Sequence, residues 1–237
     1  MRFSILFTSL FLILACKKAE LKTMGTKEIP TNANAGQYSY LALGDSYTIG
    51  EAVEQSKNFP YQLVTQLKAN EISLKNPVII AKTGWTTSEL QIAIKSAALK
   101  QQFDIVTLLI GVNNQYREES KETYRKEFKE LLQTAIGFAA KGSSRVFVVS
   151  IPDWGVTPFG KESGRGIENI AKEIDIFNAI NKEETLKAGV GYTDITPASR
   201  QALNDQTLVA ADGLHPSSKM YLFWAENVAV PVLKSLK

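Results

Sequence analysis

The 237 residues are 44% hydrophobic and 22% charged, the balance of an ordinary globular chain with one domain. The formal charge of +3 is small for this length and the basic residues are scattered, which excludes a nucleic-acid footprint. A single cysteine and a single histidine exclude an intrachain disulfide and the common structural zinc sites, and no acidic loop has a calcium pattern.

The chain opens with Arg2 ahead of an apolar run over 5–15, which is too short to span a bilayer comfortably and has the pattern of a secretory signal. The run ends Ile13-Leu14-Ala15-Cys16. This resembles a bacterial lipoprotein processing box, although Leu14 is larger than the small residue usual there. The resemblance implies cleavage before Cys16, acylation of that cysteine, and an exported lipoprotein of the bacterial cell envelope, held to the membrane by its lipid. Residues 17–37 are polar, carry Pro30, Asn32, Asn34 and Gly36, and show no periodicity. They read as a flexible tether. The expected layout is therefore a signal at 1–15, a tether at 16–37 and a folded domain over 38–237.

The domain begins with an apolar run over 38–43 that reads as a buried strand, followed by Gly44-Asp45-Ser46-Tyr47-Thr48-Ile49-Gly50. Residues 59–68 place Leu63 and Leu67 at helical spacing behind Pro60. A second strand is expected over 77–82, then Thr83-Gly84-Trp85. Thr86 with Glu89 three residues on is a capping-box signature, and the helix behind it aligns Leu90, Ile94 and Ala97. A third strand over 105–110 ends in Gly111-Val112-Asn113-Asn114. The following helix carries Tyr124, Phe128, Leu131 and Ala135 as its stripe, with Gly142 as its stop.

A fourth strand spans 145–151 and is closed by Pro152. Residues 153–166, with Trp154, Pro158, Phe159 and four glycines, read as a loop. Helix returns over 167–186, a short fifth strand over 190–195, and a last helix after Pro216. Met220, Phe223, Trp224 and Val228 share a face of that helix, and Pro231 should kink or end it. Apolar strands alternating with helices imply a parallel sheet covered on both faces. The expected fold is α/β: a three-layer α/β/α sandwich of flavodoxin-like architecture with a five-stranded parallel sheet and right-handed crossovers.

In such folds the reactive groups sit in loops beyond the carboxyl ends of the strands, where Ser46, Gly84 and Asn113 all fall. A serine hydroxyl needs an imidazole to take its proton. The chain's one imidazole is His215, in Asp212-Gly213-Leu214-His215-Pro216. If Ser46 is a nucleophile, His215 is its only possible base. The competing reading makes Ser46 a turn-former. No Gly-x-Gly-x-x-Gly or phosphate-loop pattern supports a nucleotide site.

The blocks Gly44-Asp45-Ser46-Tyr47, Gly84, Gly111-Val112-Asn113-Asn114 and Asp212-Gly213-Leu214-His215 resemble, in order and in context, those of the SGNH hydrolases, also called the GDSL esterase/lipase family. The resemblance implies a serine esterase acting through an acyl-enzyme without metal or cofactor. It makes Ser46 the nucleophile, His215 the base and Asp212 the orienting acid. Asp153, after a different strand, is the runner-up for the acid. The oxyanion would be held by the backbone N–H groups of Ser46 and Gly84 and the side-chain amide of Asn113.

One residue departs from the family. Asn114 stands where aspartate is usual, which puts the usual support of that loop in question. Trp85, Tyr116, Trp154 and Phe159 are the aromatic candidates for a substrate pocket. The substrate classes left open are an acylated glycan, a lysophospholipid, a short acyl ester and a thioester. The alternative is a surface lipoprotein that keeps the fold to bind a glycan or a partner without catalysis.

Overall fold

The computed structural model describes residues 37–236. The expected signal, Cys16 and all of the expected tether but Gln37 lie outside the described residues.

The elements follow one another as β1 (Tyr40–Asp45), α1 (Ser46–Ile49), α2 (Phe59–Ala69), β2 (Val78–Lys82), α3 (Thr87–Ala97), β3 (Ile105–Leu109), α4 (Val112–Tyr116) and α5 (Lys121–Phe138). Then come β4 (Val146–Val149), α6 (Pro158–Glu162), α7 (Ile167–Lys187), β5 (Gly191–Thr193), α8 (Thr196–Arg200) and α9 (Ser218–Leu236). The five strands form one sheet in the order β2-β1-β3-β4-β5, and every pairing is parallel. Leu43 of β1 stands in register with Ile80 on one side and Leu108 on the other.

The strand sequences are apolar because the central strands are covered on both faces. Every residue of β1, β3 and β4 is buried. Edge strand β2 buries only Ile80, and edge strand β5 is half-buried throughout. On one face α2 packs on α9, and on the other α5 lies between α3 and α7. The chain leaves β1 toward β2 and comes back across it to β3. The crevice beyond the ends of β1 and β3 is the switch point of this topology.

Local chemistry starts the helices where the sequence indicates. Asn58 accepts the Tyr61 N–H at 3.0 Å to cap α2. Ser120 accepts the Thr123 N–H at 3.1 Å to cap α5. Ahead of α3, the N–H of Thr86 donates to Glu89 at 2.8 Å, the side-chain half of a capping box.

Two expectations are corrected and a third is narrowed. Helix α5 stops at Phe138, short of Gly142. Phe103 and the turn after α5 exchange backbone bonds of 2.8 Å, Phe103 N–H to Phe138 O and Ala140 N–H to Phe103 O, which pull the chain out of the helix. The 153–166 loop contains α6, started by Thr157, which accepts the Gly160 N–H at 3.1 Å, with Pro158 as the first helical residue. Finally, Pro231 does not end α9, which runs on to Leu236. Val228 and Val232, fully buried on either side of the proline, hold the helical path against the missing N–H.

Candidate active site

Strand β1 delivers Ser46 to the crevice. Asp45 is the N-cap of α1, and its Oδ1 accepts the Tyr47 N–H at 3.0 Å. Ser46 is thus the first residue of a helix, so its own N–H has no helical partner. Gly44 is required by packing: a Cβ there would lie 2.0 Å from Thr48 Oγ1 and 2.4 Å from the Leu109 carbonyl. Asp45 is fully buried, and its Oδ2 has no hydrogen-bond partner among the described residues. Burial pushes its pKa up to about 7, against the bond from Tyr47.

The loop before α9 delivers the imidazole. His215 Nδ1 lies 2.6 Å from Asp212 Oδ2, while Asp212 Oδ1 accepts the N–H groups of Leu214 and His215, both at 3.0 Å. One carboxylate therefore shapes its own loop and orients the ring. Partial burial raises the Asp212 pKa, but the His215 ring and the two backbone donors outweigh it and hold the carboxyl below its ordinary value. With its Nδ1 proton directed at the carboxylate, the neutral ring keeps Nε2 as an acceptor. Tyr47 packs on the ring at a centroid distance of 5.1 Å. Asp153, the alternative acid, is committed elsewhere. Its Oδ2 accepts from Arg200 Nε and its Oδ1 from the Gly155 N–H, each at 2.9 Å.

Ser46, His215, Gly84 and Asn113 line a single cavity of about 190 Å³. Gly84 has φ +83°, a conformation that favours glycine. One N–H of the Asn113 amide donates to the Trp85 carbonyl at 2.9 Å, which fixes the plane of the amide group and leaves its other N–H free of that bond.

Of the four aromatic candidates, Tyr116, Trp154 and Phe159 line this cavity and Trp85 does not. Trp85 faces a separate groove between β2 and α3, beside Ile79 and Ile92. The three wall residues pack mutually, with ring centroids 5.4 to 6.3 Å apart. The Phe159 N–H donates to the Gly213 carbonyl at 3.0 Å and so ties the wall to the His215 loop.

Asn114 lies beneath the cavity rather than in it. It is fully buried; its Oδ1 accepts the Thr87 N–H at 3.1 Å, and its Nδ2 donates to Thr87 Oγ1 at 2.6 Å and Glu119 Oε2 at 2.8 Å. An aspartate could accept from Thr87 but could not donate to Glu119. The amide is therefore matched to this chain's own glutamate, and the departure at 114 leaves no group of that side chain idle. Tyr47, Thr83, Val112 and Leu214, which the sequence offers only as members or neighbours of its blocks and without a role, complete the cavity wall. All four adjoin residues that the sequence reading singled out, so neighbourhood to the blocks was the available signal. It passed over Gln115, whose Oε1 accepts from Trp154 Nε1 at 2.7 Å. No local pattern announces a bond across 39 positions.

Among the described residues no three His, Cys, Asp or Glu side chains converge as metal ligands, and no helix is long and apolar enough to cross a membrane.

A family model described as GDSL-like lipase/acylhydrolase matches residues 42–222. Solved structures share the fold at low identity. The psychrotrophic esterase EstA from a Pseudoalteromonas species is 13% identical over 84% of this chain and 99% of its own, with a TM-score of 0.64. The acetylxylan esterase Axe2 from Geobacillus stearothermophilus is 16% identical over 82% of this chain and 94% of its own, with a TM-score of 0.64. A lipase/acylhydrolase from Enterococcus faecalis is 19% identical over 83% of this chain and 95% of its own, with a TM-score of 0.64. A search of the curated proteins finds no match.

Proposed function

The chain belongs to the GDSL-like lipase/acylhydrolase family and is a carboxylic ester hydrolase; from that premise we propose that it works through an acyl-enzyme on Ser46, with His215 and Asp212 completing a triad. The observation that carries this reading is the 2.6 Å His215–Asp212 pair on a cavity that Ser46 also lines.

The sequence of events follows from the groups present. Ser46 Oγ attacks the ester carbonyl and its proton passes to His215 Nε2. Asp212 holds the ring in the tautomer that can accept and stabilises the imidazolium. The carbonyl oxygen gains charge between the N–H groups of Ser46 and Gly84 and the Asn113 amide. His215 then gives its proton to the leaving alcohol. Water, activated by the same imidazole, cleaves the acyl-serine and restores the enzyme.

The substrate we favour is a short acyl ester, with the acyl group carried on a glycan ahead of a lysophospholipid. At about 190 Å³ the cavity is smaller than the roughly 300–1,000 Å³ of pockets that enclose drug-sized ligands. A long acyl tail would leave most of its surface in water. Tyr116 and Phe159 are 46% and 38% exposed at the cavity wall, where flat rings can cover the face of a sugar. The chain is further read as an exported lipoprotein of the bacterial envelope, acylated at Cys16, which would bring the domain to envelope substrates.

The full-length protein in detergent, offered acetyl, butyryl and octanoyl chromogenic esters, should prefer the two shorter chains. Ser46→Ala and His215→Ala should each lose at least about a thousandfold in kcat, and the double variant should lose little more. Equal rates in all of these proteins would refute the triad.

A further inference from the structure

Gly84 is held in place by little besides hydrogen bonds. A Cβ built on it would meet nothing closer than the Arg117 guanidinium, at 3.8 Å, so packing does not confine this backbone. A glycine at φ +83° has the widest choice of alternative conformations of any residue. Two residues of α4 and its C-terminal cap restrict it. Arg117 Nη2 donates to the Gly84 carbonyl at 2.6 Å, and Asn113 Nδ2 donates to the next carbonyl, Trp85, at 2.9 Å. Arg117 is braced in turn: Nη1 lies 3.2 Å from Glu89 Oε2, and that same oxygen accepts the Thr86 N–H at 2.8 Å. The planar guanidinium thus spans the loop and the helix cap that follows it, a two-point contact that a single ammonium could not reproduce in full. Its side chain is 47% exposed, so the core does not depend on it.

We infer that Arg117 is a positioning residue for ester cleavage, one that fixes the Gly84 segment so that the Gly84 N–H stays aimed at the developing oxyanion. The inference rests on the esterase reading of the same cavity. A donor contributes to rate in proportion to how well it is oriented before charge develops. Loosening Gly84 should therefore weaken transition-state binding and leave ground-state binding almost unchanged.

Arg117→Met and Arg117→Lys in the full-length protein test this. For Arg117→Met, kcat on the acetyl ester should fall about ten- to a hundredfold, less than the 10²–10³ typical of deleting an oxyanion donor, with KM within about threefold of the parent. The Kd of phenylboronic acid, which forms a tetrahedral adduct on a nucleophilic serine, should rise in parallel with the loss of kcat. Arg117→Lys keeps one donor for the Gly84 carbonyl and should recover part of the rate. By NMR relaxation the Gly84 amide should be ordered in the parent and mobile in Arg117→Met.

A kcat within twofold of the parent overturns the inference, and so does a loss confined to KM. Unchanged Gly84 order in Arg117→Met overturns it as well. The NMR readout needs no turnover. A parent that neither hydrolyses esters nor labels at Ser46 with a serine-directed phosphonate would sink the triad and with it the catalytic part of the inference, while the relaxation data would still decide whether Arg117 fixes the Gly84 segment.

Discussion

Replacing Asn114 by the aspartate usual in the family should destabilise this protein, although the two side chains have the same shape. The reason is a shortage of donors. Thr87 Oγ1 already donates to Glu127 Oε2, so it can only accept from position 114. Glu119 Oε2, 2.8 Å from the amide nitrogen, is an acceptor as well. Asn114→Asp would set a carboxylate oxygen against both, at a fully buried position. Leaving a buried acceptor without its donor costs about 1–3 kcal/mol.

The added like charge cannot cost without limit, because the pair can take up a proton. Holding one carboxyl protonated about three pH units above its ordinary pKa costs roughly 4 kcal/mol, which bounds that term at pH 7. The sign with pH follows. In the variant the pair's folded pKa is raised above the unfolded value. Its electrostatic penalty is therefore absent below about pH 4, where the shared proton is present in both states, and grows as pH rises toward the folded pKa.

Urea unfolding of the full-length parent, Asn114→Asp, Glu119→Gln and the double variant at pH 5 and pH 8 would measure this. The deficit of Asn114→Asp should be about 2–4 kcal/mol at pH 8 and clearly smaller at pH 5. Glu119→Gln, whose amide can donate, should restore at least half of it in the double variant. A deficit that is independent of pH, or one that Glu119→Gln fails to reduce, would refute the donor count.

Two further outcomes are expected. Asp45 has a folded pKa raised by burial to about 7. Its protonated form favours the fold below the unfolded pKa, and that contribution is lost as pH rises through 7. Asp45→Asn keeps an oxygen for the Tyr47 N–H and has no proton to lose, so its stability relative to the parent should improve between pH 5 and pH 9. A parent-to-variant difference that stays flat across that window would show that Asp45 stays ionised. Separately, Cys16→Ser should shift the full-length protein from the detergent phase to the aqueous phase on expression in a bacterium. Continued partition into detergent would mean that something other than a Cys16 lipid holds it.

How legible each part was depends on how local its physics is. Strands that are buried on both faces spell out their apolar runs, so β1, β3 and β4 could be read directly. His215 and Asp212 share a four-residue loop, and the carboxylate that orients the ring also bonds the loop's own backbone. A short block therefore carried that geometry whole. Trp85 misled because side-chain direction at a turn depends on the backbone angle of its neighbour. With Gly84 at φ +83° the chain presents Thr83 and Gly84 to the cavity and Trp85 to the far groove. Pro231 does not end α9 because burial on both sides of it outweighs one missing hydrogen bond. The partners of Gln115 and Arg117 lie 39 and 33 positions away, and nothing near either residue in sequence announces them.

Those distant bonds give α4 a role out of proportion to its five residues. Asn113 bonds Trp85, Asn114 bonds Thr87, Gln115 bonds Trp154, and the Tyr116 carbonyl accepts from Arg165 at 3.0 Å. Consecutive residues point in different directions around a helix, roughly 100° apart, so one short turn can reach the loop after β2 on one side and the loop after β4 on the other. Two of the three proposed oxyanion donors, Gly84 and Asn113, thus share a support with the aromatic wall, while Ser46 is set by β1 and the His215–Asp212 pair by its own loop. Substitutions in α4 should then disturb charge stabilisation and acyl recognition together and leave proton transfer alone. In kinetic terms they should lower kcat/KM without displacing the acid limb of its pH profile, whereas substitutions at Asp212 should displace it. An α4 variant whose acid limb moves by as much as that of an Asp212 variant would show that the two halves of the site are not separately supported.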